Sequence, residues 1–206
     1  MGKALWISLI IVLFIGATLA FSYIPEFWRP SSSENIPEVP EDETSAIETR
    51  TFNPDTAKLF ITPNDSVIKQ TVENIAKNPL IFDWIEIRDW VAKNIEYVKD
   101  SEAYGESDYW QLPRETLSLR TGDCEDFSVL LCSLLRANGW DENEVYVVVG
   151  ENYGRYHAWV KLNVDVVGWQ NIEPQEGALN TLIGDSISLS GYTAKYYFND
   201  VYFETI

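Results

Sequence analysis

The chain is poor in the residues from which most compact chemical sites are built. It has one histidine, two cysteines and one methionine in 206 residues. A single histidine excludes every site that needs two imidazole ligands. Two cysteines exclude both a zinc finger and a disulfide-stapled miniprotein. Cations are scarce too: 15 Lys and Arg stand against 32 Asp and Glu, a net charge of −17. Phosphate backbones need clustered Lys and Arg, so no nucleic-acid partner is expected. No internal repeat is present. What the chain does have is apolar mass, 46% hydrophobic residues with 8 Trp, 11 Tyr and 9 Phe. That composition describes a folded chain with length for one substantial domain.

The longest stretch without charge runs from Ala4 to Ile24, 21 residues. As a helix it covers ~30 Å, one hydrocarbon core. Lys3 lies before it and Glu26 after it, which predicts a cytoplasmic N-terminus and the remainder outside. A cleaved signal peptide is the other reading, with Ala20 after Thr18 as the cleavage site. The apolar run is longer than the ~7–15 residues of an h-region, which favours the anchor. Either way the body of the chain is exported. Pro25 and Pro30 end the helix. Residues 25–58 are polar, acidic and interrupted by proline, which reads as a linker whose ends lie ~30 Å apart as a flexible coil. The expected organisation is therefore an anchor over 1–24, a linker over 25–58 and a domain over 59–206.

Within 59–206, a short helix is expected from Asp65, its N-cap, to Asn78. A second, with Trp84, Ile87, Val91 and Ile95 at helical spacing, is expected to run to Lys99. Asp100 to Gln111 reads as a loop, and Pro113 opens another short helix that Thr121-Gly122 breaks. After Asp123 comes the strongest helical period, with Phe127, Leu130, Leu131, Leu134 and Leu135 on one face and Gly139 at the far end. The period then changes to two. Strands are expected over 145–149, 157–162 and 168–173, with an aromatic strand pair or extended edge over 195–205. Helices first and antiparallel strands second is an α+β order.

Cys124 and Cys132 share one predicted helix and lie ~12 Å apart by rise alone. A disulfide needs Cα atoms within ~7 Å, so both are expected to be free. Cys132 reads as a small buried hydrophobe. Cys124 falls in the first helical turn, where the helix dipole favours the nucleophilic thiolate. A sulfur nucleophile needs a base, and His157 is the only candidate. Alternation sends Ala158, Val160 and Leu162 to the core face, and His157 and Trp159 to the other. If Leu162 pairs with Gly168 across a short loop, Val160 faces Gln170, Ala158 faces Ile172 and His157 faces Glu173. Directly opposed side chains have Cβ atoms ~5 Å apart, within reach for a carboxylate on an imidazole. Asp165 falls at the loop tip, roughly 25 Å along the strand.

Four blocks in order then resemble the transglutaminase-like superfamily, related in fold to papain-like cysteine peptidases. They are Trp110-Gln-Leu-Pro113-Arg-Glu115, Arg120-Thr-Gly122-Asp123-Cys124-Glu125-Asp126, His157-Ala-Trp159-Val and Trp169-Gln-Asn-Ile-Glu173-Pro174. The resemblance implies Cys124 as nucleophile, His157 as base and Glu173 as third member, where relatives usually carry Asp. It implies an oxyanion hole from the Cys124 N–H and a donor at Trp110 or Gln111. Acids beside the nucleophile repel a thiolate. Asp123 is read as the helix cap, with Glu125 and Asp126 favouring the positive helix end. Calcium beside this motif, as in some bacterial relatives, is the other reading. Acyl transfer through a thiol needs no cofactor, and no metal is assigned. The expectation is a papain/transglutaminase-like core holding an exported thiol enzyme. Its substrates would be protein or peptide amides, and hydrolysis or deamidation is favoured over crosslinking because no recognisable substrate domains are present. The alternative is an inactive binding module on the same fold. Gly- and Ser-rich residues 175–194 are expected to form a loop near the cleft.

Overall fold

The computed structural model describes residues 50–75, 82–175 and 191–206. The expected anchor over 4–24, residues 25–49 of the linker and most of the 175–194 loop lie outside the described residues. Among the described residues no helix is long and apolar enough to cross a membrane.

Asp65 starts the first helix, α1 (Ser66–Ile75), by accepting the Val67 N–H at 2.8 Å. It buries Ile68 and Val72. The second, α2 (Asp83–Asn94), buries Trp84, Ile87 and Val91 as their spacing predicts. It ends earlier than expected. Glu96–Tyr97 (β1) leave the helix and pair in parallel with Thr121–Gly122 (β2), a non-local bridge that periodicity cannot reveal. The expected loop after it contains one helical turn, α3 (Asp100–Ala103). Pro113 opens α4 (Pro113–Leu119), whose Glu115 carboxylate reaches back to the Leu112 N–H at 2.7 Å. Arg120 ends it in the left-handed region at φ 59°. Then comes α5 (Cys124–Ala137), buried from Glu125 through Leu135.

Five strands follow: β3 (Val145–Asn152), β4 (Arg155–Val164), β5 (Gly168–Ile172), β6 (Tyr192–Phe198) and β7 (Phe203–Thr205). They form one antiparallel sheet in the order β5-β4-β3-β6-β7. Helix α5 lies on one face, where Phe127, Leu130, Leu131 and Leu134 join Val147, Val160, Leu162, Ile172 and Phe198 in the core. The expected α+β architecture is what the chain adopts.

Two expectations are corrected. The β4–β5 register differs by two from the predicted one: Val160 pairs with Ile172, Leu162 with Gln170 and Val164 with Gly168. The short connection is a tight 3-10 turn over Asp165–Val167, closed by Gly168 at φ 78°. A shift of two keeps every side chain on its face, so the core is unchanged. Glu173 now falls across from Trp159, one position past the last pair, and diagonal to His157. The second correction concerns residues 50–58, assigned to the linker. They pack on the domain. Arg50 makes a paired contact with Glu115 at 2.8 and 2.9 Å. The Phe52 ring lies 5.4 Å from Trp110 and 5.1 Å from Tyr196. Ala57 and Phe60 are buried in a 3-10 turn. Isolated apolar anchors in a polar stretch carry no period, which is why the boundary was misplaced.

Candidate active site

The site begins at the β2–α5 junction. A Cβ on Gly122 would sit 2.6 Å from the Cβ of Asp126, so only glycine lets the chain turn this tightly into α5. Asp126 is fully buried and ties two segments together. One oxygen accepts the Gln111 N–H at 2.8 Å and the other the Asp123 N–H at 3.2 Å. The second bond closes the first turn of α5 and fixes where Cys124 projects.

Cys124 and Cys132 are both free thiols. Cys132 is fully buried in the core. The Cys124 sulfur lies 3.0 Å from Glu125 Oε2 and donates to it. Burial, then the charges of Glu125 and Asp123, push the Cys124 thiol well above its ordinary value. The Ala158 backbone N–H, next along β4 from His157, acts in the opposite sense and lowers the thiol's pKa. The helix dipole was expected to favour the thiolate. Its effect, worth at most ~2 kcal/mol, is outweighed here by desolvation and two adjacent carboxylates.

His157 and Glu173 are brought together. Nε2 of His157 lies 2.8 Å from Glu173 Oε2. Despite the altered register the contact forms, because the longer Glu side chain spans the diagonal. Trp159 lies parallel to the imidazole at 6.0 Å and donates its Nε1–H to Asn171 Oδ1 at 2.9 Å. Tyr192, which the sequence reading did not single out, donates its hydroxyl to the same Glu173 oxygen at 3.2 Å.

The two oxyanion candidates differ in environment. Trp110 is a core ring, 5.4 Å from both Phe52 and Phe60, and its indole N–H donates to Asp108 at 3.0 Å. Gln111 is buried, and its Oε1 has no hydrogen-bond partner.

Around Cys124 lies a cluster of carboxylates. Asp100, Asp108 and Glu125 can bring oxygens within 4.8 Å of one another, as can Asp100, Asp123 and Asp126. Asp100 and Asp108 come from the stretch the sequence marked only as a loop, and spacing gave no signal for them. Burial and the charges of Asp123 and Asp108 push Asp100 up to about 6, against the lowering effect of the Tyr109 N–H. Burial also drives Glu125 and Asp126 well above the usual carboxylate range. Asp100 Oδ1 and Asp123 Oδ1 are buried without a hydrogen-bond partner. Hard carboxyl oxygens from several segments, two of them without partners, fit a hard divalent cation such as calcium, whose charge would favour their ionised form.

The transglutaminase-like superfamily profile matches residues 69–174, which hold Asp100, Asp108, Gln111, Cys124, His157 and Glu173 but not Tyr192. The chain belongs to the transglutaminase-like superfamily. Among solved structures it resembles Legionella pneumophila LapG treated with EGTA, with TM-score 0.53 and 15% identity over 77% of this chain and 88% of that one. It resembles the calcium-bound form of the same protein with TM-score 0.51 and 16% identity, over 80% and 84% of the two chains. At these identities the likeness is one of fold. No curated protein matches the sequence significantly.

Proposed function

We propose that the domain is a cysteine-dependent amidohydrolase acting on protein or peptide amides, by hydrolysis or deamidation rather than crosslinking. In this reading Cys124 is the nucleophile, His157 the base, and Glu173 the acid that orients His157. The observation that carries it is the pairing of the chain's single histidine with Glu173 at 2.8 Å. With Nε2 committed to Glu173, Nδ1 is the nitrogen available for the thiol proton. The sulfur bonds to the amide carbon as that proton moves to His157. The C–N bond then breaks, and the amine leaves with the proton. Water gives a proton to His157 and adds to the thioester carbon. The C–S bond breaks, the acid leaves and the proton returns to sulfur. The oxyanion would be met by the Cys124 N–H and by Gln111, because the Trp110 indole is already engaged with Asp108.

Asp100, Asp108, Asp123 and Glu125 are the residues that would hold a calcium ion. Bound there, it would offset the negative charge beside Cys124. At calcium ten times its Kd the domain should gain about 1.4 kcal/mol and melt several degrees higher. An unchanged melting curve across a calcium titration would remove the ion from this reading.

Residues 4–24 are proposed to anchor the chain in the membrane, N-terminus inside and domain outside. The support is the uncharged 21-residue run flanked by Lys3 and Glu26. A second reading, a binding module that keeps the fold without turnover, is favoured by the protonated, acid-flanked thiol. One experiment separates these. A peptidyl acyloxymethyl ketone library is applied, with calcium, to membranes holding the full chain. Labelling at Cys124, lost in His157→Ala, supports the enzyme; no labelling by any member favours the binding module. Retention in the membrane pellet at alkaline pH, abolished by deleting 4–24, supports the anchor, and release of the full chain refutes it.

A further inference from the structure

Tyr192 reaches the site from beyond β3, two strands away from β4. Its position depends on a register break. Val147, Val148 and Val149 pair with Phe198, Tyr197 and Tyr196, whereas Gly150, Glu151 and Asn152 pair with Ala194, Thr193 and Tyr192, leaving Lys195 as the extra residue. An inserted residue inverts the faces of everything beyond it. Without the bulge Tyr192 would lie on the α5 face. With it, Tyr192 shares the face of Gly150 and of His157, which Gly150 opposes in β4. The strands approach closely here: a Cβ on Gly150 would come within 2.1 Å of the Thr193 carbonyl oxygen.

So placed, the Tyr192 ring meets Trp159 edge-on at 5.1 Å and 86°, and His157 at 5.8 Å and 65°. Its hydroxyl and the His157 ring both bond Oε2 of Glu173, while Oε1 is buried with no partner. All the restraint on this carboxylate is therefore on one oxygen. A glutamate has one more torsion than the aspartate usual in the superfamily, so it needs a second restraint to hold one orientation.

We propose that Tyr192 is the positioning residue of this site, locking Glu173 Oε2 against His157 Nε2 and so holding His157 in the Nε2–H tautomer with Nδ1 free as the base. This rests on the reading of His157 and Glu173 given above. Burial and the Glu173 charge raise the Tyr192 hydroxyl above its ordinary value, so it remains a donor at any working pH.

The single histidine makes the test direct, since every imidazole resonance in the full chain labelled with 15N-histidine is His157. Long-range proton–nitrogen spectra, recorded where the ring is neutral, read the tautomer. Wild type is expected to show one Nε2-protonated ring. Tyr192→Phe keeps both ring contacts and loses only the hydroxyl; its nitrogen shifts should move toward the averaged values of a ring sampling both tautomers, with little change in melting temperature. Glu173→Ala should do the same. Wild-type shifts in Tyr192→Phe with averaged shifts in Glu173→Ala would overturn the role of Tyr192 alone. Wild-type shifts in Glu173→Ala would overturn the His157–Glu173 reading, and the inference with it.

Discussion

Replacing Glu125 by Gln should speed alkylation of Cys124 by iodoacetamide at pH 8 about tenfold in divalent-free buffer. Glu125 acts on the sulfur twice, as a neighbouring charge and as the acceptor of the S–H at 3.0 Å. Both effects hold the proton on sulfur. When Glu125 is ionised, a like charge this close raises the thiol pKa by roughly 1–3 units, and glutamine, which cannot ionise, keeps the shape without the charge. Each unit by which the thiol pKa falls multiplies the thiolate fraction by ten. It also lowers intrinsic nucleophilicity, with a Brønsted slope of ~0.4–0.5, so the net gain is about three- to fourfold per unit. Two units give the stated tenfold. Cys132, fully buried, is the internal control and should stay unmodified. Intact mass with peptide mapping reads both sites. A rate equal to wild type would mean that Glu125 is neutral at pH 8, and that burial and Asp123 hold the proton on this thiol.

Asp100→Asn should stabilise the divalent-free domain by roughly 3 kcal/mol at pH 8 and change it little near pH 4. Asp100 titrates near 6 in the folded chain and near 3.9 when unfolded. The folded state therefore holds its proton more tightly. The stability this contributes is fully present below pH ~4 and is lost as pH rises through 6. Asparagine is neutral throughout and keeps an oxygen for the Tyr109 N–H. The gap between variant and wild type should open between those two values. Melting curves at pH 4 and pH 8 measure it, and a variant less stable at pH 8 would show that the carboxylate cluster is not strained. The same change should remove most of the stabilisation by calcium.

Some of this architecture is written in local sequence patterns and some is not. The α5 helix was legible because its apolar period is strong, and the order of helices and strands gave the α+β class. Contact between His157 and Glu173 was anticipated through the wrong register, and it survives because both registers leave the two residues on one face. Phe52 was missed because a single aromatic in a polar stretch has no period. Tyr192 was missed because it falls in the Gly- and Ser-rich stretch 175–194 read as a loop, whereas β6 already begins at Tyr192 and the extra residue at Lys195 sets its face. Asp100 and Asp108 join the cluster through tertiary contacts that no local pattern encodes. The protonation of Cys124 depended on a balance between a helix dipole and buried carboxylates, and burial is a property of the fold.

Glu173 and Tyr192 bond to each other across 3.2 Å, yet they stand at the two ends of residues 174–191. The chain leaves the site at one of these side chains and returns at the other. A connection pinned at its base is an interchangeable cassette, since doubling its length costs only about 0.6 kcal/mol in closure entropy. Residues inserted into this stretch should therefore cost little in closure entropy and leave the bond between Glu173 and Tyr192 in place.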